Sequence, residues 1–347
     1  MTFRTAHAEA ASRADIPAHD AYWLRAMRTC LFTGSMIAWS PDERRTPSVI
    51  FPLVELDGRS SIGVPDHPSL NLMDIVLVGS ADMPRDLDAA LDVLGRERSW
   101  DLLRFSRVRE RSHLLRALHG SSFTWTRDDA GRSAFCDVSA PSALTALSKD
   151  HLRNVDRLAR RAQRDFGLVE IVAVSDATVA STAFDRFVAL ESSGWKGEEG
   201  TGLAADTTAQ AFFREVMRGF QSDGRARIDV LTIDGRDAAA QLAVRVGTTW
   251  FLLKIGYDQS FRDVGPGAIL LKQFLERMAE TPDIHEVNLT TDPPWAQRWH
   301  FQSEPCYHVS IFGRTLRGRA LAASQIAKSV ARNLRDTLSS PDSAKPQ

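Results

Sequence analysis

Cysteine is scarce in this chain and poorly placed for bridging. Cys30, Cys136 and Cys306 are odd in number and far apart. They make neither a disulfide framework nor a metal-ligand spacing, which fits a reducing, cytoplasmic compartment. Net charge is nearly absent too. A formal charge of −1 excludes a global field drawing the chain to nucleic acid or membrane, so any such affinity must be local. No stretch approaches the roughly 18 apolar residues of a membrane span. The opening MTFRTAHAEAASRADIPAHD lacks the apolar core of a signal peptide. The histidines form no His-Glu-x-x-His or related ligand pattern, so no metal is expected. There is no Gly-x-Ser-x-Gly elbow, and Cys306 has no evident His partner, which leaves covalent nucleophilic catalysis without a candidate.

What is present is a soluble α/β pattern long enough, at 347 residues, for two domains. SVIFPLVEL (48–56) and LNLMDIVLV (70–78) read as strands buried on both faces. PRDLDAALDVL has Pro84 near a first helical position and apolar residues at Leu87, Leu91 and Leu94. A strand (WDLLRFSRV), a helix (HLLRALHG) and a strand (SAFCDV) complete the first half, which ends near Pro141. The second half reads β-α-α-β-β-β-α-β-α-β. Its centre is three consecutive strands, RIDVLTID, AAAQLAVRV and TWFLLKIGYD, the first two joined by the turn signal Asp234-Gly235. YHVSIF is its last strand. No fixed-period repeat is visible.

Two segments are strongly basic. In residues 149–164, Arg153, Arg157, Arg160, Arg161 and Arg164 recur at helical spacing beside an apolar stripe of Leu152, Val155, Leu158 and Ala162. This helix is either a solvated connector or a phosphate-facing surface for CoA or tRNA. Residues 314–335 hold six Arg or Lys and no acid, along a stripe of Leu316, Ala320, Ala323, Ala327, Val330, Leu334 and Leu338. The reading favoured here packs that stripe on its own domain; the alternatives are a membrane surface or RNA. The last ten residues have the composition of a disordered tail.

The sharpest local signal is Arg262-Asp263-Val264-Gly265-Pro266-Gly267-Ala268, between a strand and a helix. Two glycines let a ligand approach the backbone, and the first amides of a helix, at the positive end of its dipole, suit a pyrophosphate. Arg262 would add a charge-assisted donor, and the amides of Gly265 and Gly267 are expected to be free. No Gly-Lys-Ser or Gly-Lys-Thr follows, so this is not a Walker loop, and no third glycine or βαβ start makes it a dinucleotide fingerprint.

Here the second half resembles a known family. LESSGWKGEEGTGL (190–203), the Asp-Gly turn before AAAQLAV, KIGYDQSFRDVGPGAILL (254–271) and, more loosely, TTDPPWAQRW (290–299) are similar to the BioF2-like and CelD-type branch of GNAT acetyltransferases, relatives of the FemAB peptidyltransferases. The resemblance spans about residues 149–312. It implies a double GNAT fold of two mixed-sheet lobes with flanking helices. Residues 1–141 would form a degenerate first domain, 142–165 a basic connector, 166–314 the acyltransferase domain and 315–347 a basic helix and tail. It also implies transfer from acyl-CoA, such as acetyl-CoA, to an amine or hydroxyl of a small-molecule or saccharide acceptor. Aminoacyl-tRNA is the alternative donor, and a non-catalytic partner in a biosynthetic pathway the alternative role.

Within this frame Glu191 is the first choice for general base and Asp292 the second. Lys254 is either a buried ion-pair partner of Asp258 or Glu191 or a site residue, since the family pattern has Lys there. Asp258 is either a turn former or, with Tyr257, part of the place where the strand opens. Arg262, Gly265, Gly267 and Ala268 would bind the donor; Trp195, Lys196, Tyr257 and Trp299 would contact substrate. Where family members commonly carry Lys near position 297, this chain has Trp295-Ala296-Gln297-Arg298, which changes that wall of the acceptor site.

Overall fold

The computed structural model describes residues 15–32, 36–39, 49–52, 54–55, 61–64, 67–77, 82–97, 99–174, 177–193 and 202–339. The first half runs α1 (Ala21–Ala26), β1 (Met36–Trp39), β2 (Val49–Pro52), β3 (Val54–Glu55), β4 (Ser61–Gly63), β5 (Val76–Leu77), α2 (Met83–Glu97), β6 (Leu102–Arg109), α3 (His113–Leu118) and β7 (Trp125–Asp137). The second runs α4 (Lys149–Phe166), β8 (Val169–Val174), α5 (Ala177–Ser192), α6 (Thr207–Gln221), β9 (Ala226–Ile233), β10 (Arg236–Val246), β11 (Thr249–Tyr257), α7 (Pro266–Ala279), β12 (Glu286–Asn288), β13 (Gln302–Phe312) and α8 (Leu316–Ser339).

Local chemistry accounts for many of these boundaries. Asp206 caps α6 by accepting the Ala209 amide, and the helix then buries Phe212, Phe213, Val216 and Phe220 on one face. Asp234 and Gly235 both have positive φ (50° and 73°), as the two-residue hairpin between β9 and β10 requires. LNLMDIVLV departs from its expected strand. Leu70, Leu72, Met73 and Ile75 are buried, but only Val76–Leu77 pairs as a strand. Asp74 explains part of the difference. Its carboxylate accepts amides from Ile75, His113 and Leu114, so it caps the start of α3 from a distant segment. Burial opposes ionisation, but the neighbouring His19, then His113 and the Leu114 amide, hold this carboxyl below the usual carboxylate range.

Ten strands form one mixed sheet in the order β3-β4-β6-β13-β7-β12-β11-β10-β9-β8, and β1-β2-β5 form a separate small sheet. Each half contributes one parallel pair in which a helix lies between the strands: β4 with β6 around α2, and β11 with β12 around α7. The final strands are exchanged between halves. β13 lies against β6 and β7, while β7 also pairs with β12. One apolar cluster on one face gathers Trp23, Leu91, Leu115, Phe187 and Phe212; a second, on the opposite face, gathers Val155, Ala162, Ile269, Phe274 and Trp299.

Arg107 ties the exchanged region together. It sits at φ 52° in the bulge where β6 and β13 slip register. Its guanidinium donates to the carbonyls of Asn71, Ala130, Arg132 and Thr290, at 2.7, 2.7, 3.3 and 3.2 Å. One planar fork thereby satisfies backbone acceptors from three separate segments.

The C-terminal helix packs the other way round from the favoured reading of its sequence. Leu321 and Ala322 meet Leu102 and Phe312, Gly318 is buried, and Gln325 donates to Asp128. A Cβ on Gly318 would lie 2.3 Å from the Gly313 carbonyl oxygen, so only glycine permits this approach. Leu316, Ala320, Ala323, Ala327 and Val330 of the expected stripe point to solvent instead; the side chains of Leu334 and Leu338 lie outside the described ones. Among the described residues, no helix is long and apolar enough to cross a membrane.

Replacing Arg107 should therefore cost more than one ordinary contact. We expect Arg107→Ala to lower unfolding stability by at least the ~1.5–3 kcal/mol of a single charged hydrogen bond. Arg107→Lys should restore less than half of the loss, because an ammonium cannot fork across several carbonyls. Urea midpoints equal to wild type for the lysine variant would show that charge alone suffices.

Candidate active site

The site begins where two strands part. β11 pairs with β12 only at Thr249↔Glu286, Trp250↔Val287 and Phe251↔Asn288. Beyond Phe251, β11 continues with β10 alone, and the register between those two shifts at Leu252–Lys254, leaving Leu253 as the extra residue. The bulge turns the rest of β11 away and frees one of its edges. A cavity of about 360 Å³ lies at this opening. Ile255, Gly256 and Tyr257 line it from β11; Pro266, Gly267, Ala268 and Leu271 from the start of α7; His151 from α4; and Trp295, Arg298 and Trp299 from the 3₁₀ turn Pro294–Trp299. Glu191 reaches it from α5, on the opposite face of the sheet from α7. The gap thus has walls on both faces.

The start of α7 gives fewer free donors than its sequence suggests. Gly265 is left-handed (φ 58°, ψ 51°), and its amide closes the preceding 3₁₀ turn on the Arg262 carbonyl at 3.1 Å. Ala268 and Ile269 donate to the Gly265 carbonyl at 3.0 and 3.2 Å, and Pro266 has no N–H. Among the described residues, no acceptor meets the Gly267 amide. Arg262 stands at the rim, largely exposed, with Asp263 3.7 Å away. The two glycines differ sterically. A Cβ on Gly265 would press Leu158 at 3.2 Å in a backbone conformation unfavourable to other residues, whereas one on Gly267 would make an ordinary 3.6 Å contact with Ile255.

Glu191 is buried. Its Oε2 accepts the Leu203 amide at 2.8 Å, and its Oε1 lies 3.9 Å from Lys254 Nζ. Lys254 also stands over the Phe213 ring, 5.2 Å from its centroid. Helix α5 comes so close to β11 that a Cβ on Gly256 would lie 3.1 Å from the Glu191 Cα. The absence of a side chain at Gly256 therefore sets how far Glu191 reaches into the gap.

Of the residues singled out in the sequence, Glu191, Tyr257, Arg262, Gly265, Gly267, Ala268 and Trp299 line this cavity. Lys254 adjoins Glu191 without lining it. Asp258 caps the 3₁₀ turn Gln259–Val264, accepting the Ser260 amide, with Arg236 at 3.8 Å. Asp292 lies beside Arg132 at 4.0 Å and is not among the lining residues. Trp195 and Lys196 fall outside the described residues. Trp295 and Arg298, from the stretch read as a wall of the acceptor site, also line the cavity, whereas His151 was given no role by the sequence. His151 shares a helical stripe with Val155, Leu158 and Ala162, which is the signal that marks it as inward-facing. Burial, aided by Arg298 and His300, holds its pKa below the usual imidazole value, and its ring meets Trp299 edge-on with centroids 4.7 Å apart.

Comparison with known proteins places this geometry in a family of folds. Residues 149–297 match the family model described as acetyltransferase (GNAT) domain, and the match begins at the first residue of α4. No curated protein sequence matches the chain. FemX has a similar structure, with a TM-score of 0.61 at 12% identity, covering 89% of this chain and 96% of that one. A conserved protein of unknown function from Bacteroides thetaiotaomicron has a TM-score of 0.60 at 13% identity over the same shares, 89% and 96%. The C-terminal domain (DUF2156) of a putative lysylphosphatidylglycerol synthetase from Agrobacterium fabrum has a TM-score of 0.58 at 14% identity, covering 93% and 95%. The protein has a mixed α/β GNAT fold with flanking helices, and within it residues 149–297 are the part that matches the acetyltransferase (GNAT) domain model.

Two glycine substitutions separate packing from ligand access. Gly256→Ala drives a methyl group into the α5 backbone and should destabilise the protein by about 1–3 kcal/mol. Gly267→Ala meets only ordinary contact in a helix and should change stability by less than ~1 kcal/mol in either direction. Denaturant unfolding of both variants checks this; equal losses would mean that Gly267 is needed by the fold itself.

Proposed function

We propose that the protein transfers an acyl group from an acyl-CoA, acetyl-CoA being the simplest, to an amine or hydroxyl of a small-molecule or saccharide acceptor. The observation that carries this reading is the parting of β11 from β12 after Phe251, with a cavity that runs from the freed edge to the start of α7. In this reading residues 166–314 form the acyltransferase domain, joined through 142–165 to a GNAT-like first domain. The Gly267 amide, the helix dipole and Arg262 meet the donor phosphates. The donor's acylated arm follows β11, whose outward amides polarise the thioester carbonyl. Tyr257 and Trp299 wall the space for the acceptor.

The reaction itself needs one proton acceptor. The acceptor nitrogen or oxygen attacks the carbonyl carbon, its proton passes to Glu191 directly or through water, and the carbon–sulfur bond breaks to release the CoA thiol after protonation. Lys254 beside Glu191 supplies the opposite charge that keeps a buried carboxylate in place, and the Leu203 amide fixes its second oxygen.

A second reading, aminoacyl-tRNA as donor, is favoured by a different observation. Only one amide at the start of α7 lacks an acceptor, which makes a thin pyrophosphate cradle, while arginine-rich α4 packs beside it. A donor held by arginines rather than amides would suit a nucleic-acid end.

One titration series distinguishes these readings. CoA and acetyl-CoA should raise the melting temperature, by an amount that grows with the logarithm of their concentration above Kd. Gly267→Val and Arg262→Ala should each weaken CoA binding about tenfold or more by calorimetry. Glu191→Gln should leave CoA affinity within about twofold yet lower acyl transfer by roughly two to four orders of magnitude. Stabilisation by bulk tRNA with no response to CoA would replace the first reading with the second. Response to neither would make the protein a non-catalytic relative.

A further inference from the structure

We propose that α8 is a docking surface for an anionic lipid membrane, along which the protein lies peripherally. The sheet beneath this helix admits only small or polar groups: Gly318, Ala322 and Gln325 face it, with Leu321 at the edge. The larger apolar side chains are left on the opposite side. Leu316 is 88% exposed, Val330 53% and Ile326 43%. With exposed Ala320, Ala323 and Ala327 between them, they make an outward apolar line about 21 Å long at 1.5 Å per residue. Nothing in the fold covers it among the described residues.

Charge identifies the occupant. Residues 314–335 contain six Arg or Lys and no acid. On a helical projection Arg317 and Lys328 border the apolar line on one side, while Arg319 lies within it, in the same row as Ile326 and Val330 and nearer the helix start. Arg314 and Arg317 have acidic partners in the body, Asp92 and Asp101; Arg319 and Lys328 are exposed. An apolar stripe with cations along one margin and at its start suits an interface where acyl chains meet anionic headgroups. A second copy of the helix would bring like charges together. RNA would match the charges but leave Leu316, Ile326 and Val330 in water.

The placement also gives the surface a direction. Along β13, Ile311 enters the core cluster of α5 and α6, while its neighbour Phe312 packs against α8. Side chains alternate along a strand, so α8 lies on the same sheet face as α4 and α7, which line the cavity. A membrane bound there would lie beside the donor side of the molecule rather than behind it.

Co-sedimentation of the full chain with vesicles tests this. Binding is expected to vesicles of phosphatidylcholine mixed with phosphatidylglycerol, to be weak on phosphatidylcholine alone, and to fall as salt is raised. The triple variant Leu316→Ser, Ile326→Ser, Val330→Ser should lower partitioning about tenfold or more, as should Arg319→Glu with Lys328→Glu, both keeping the wild-type melting temperature because all five side chains are exposed. Absence of binding to the anionic vesicles, or binding that survives both variants, overturns the proposal. So does a dimer, seen by light scattering, that the apolar variant dissociates, or binding of bulk tRNA that only the charge variant abolishes while vesicles are ignored. CoA affinity does not depend on α8 in any of these outcomes, so the acyl-transfer reading stands or falls separately.

Discussion

The short strand β12 is held on both sides, and the site depends on that restraint. Its three residues pair in parallel with the first part of β11 and antiparallel with the end of β7. Asn288 locks the strand from within the sheet: its Oδ1 accepts from Ser133 and from the Thr290 amide, and its Nδ2 donates to Glu286. The Thr290 hydroxyl in turn accepts from Asn71, and its carbonyl from Arg107. Were β12 longer, or free to follow β11 past Phe251, it would satisfy the edge that now opens on the cavity. Because β7 belongs to the first half, the geometry of a site lined mostly by the second half is set partly by residues far away in sequence.

Much of this was legible in the chain because its signals are local. The Asp234-Gly235 turn, the three meander strands and the helix after Gly265 each need only neighbouring residues. The partner of β13 was not legible. YHVSIF has the apolar content of a strand, but nothing in a strand names the distant ladder it will join. LNLMDIVLV failed for a related reason. Its apolar residues are buried as its composition demands, yet its backbone partners include the Arg107 guanidinium and the Asp74 carboxylate. Hydrophobicity specified burial there without specifying strand pairing.

The candidate site divided along the same line. Arg262, Gly265 and Gly267 form one local motif and fall together, as does Trp299 within its stretch. What could not be read was how amides are shared. The sequence marks a glycine-rich helix start, but whether Gly265 donates to a ligand or closes the preceding turn depends on the 3₁₀ geometry of Gln259–Val264. His151 was hidden by its setting among arginines. Its inward position follows from helical phase, and its neutral tendency from burial beside Trp299.

The nearly zero net charge conceals two different kinds of basic helix on one face. In α4, acids are interspersed: Asp150 pairs with Arg153, Asp165 with Arg161 and Arg164, and Asp156 with Lys272 of α7. Much of that charge is spent within the helix and its neighbour, which weakens its long-range field but fixes α4 against the cavity. Along residues 314–335, by contrast, no acid is interspersed among the basic residues, and among the described side chains Arg314 and Arg317 find acidic partners in the body. The same residue types therefore do separate things. On α4 the paired arginines are balanced by acids of their own helix, and on α8 Arg317 and Lys328 border an apolar line that close packing on Gly318 has turned outward. Attraction by this protein is consequently a property of one face and not of the whole molecule, and it should weaken with salt over distances near a Debye length, about 8–10 Å at physiological ionic strength.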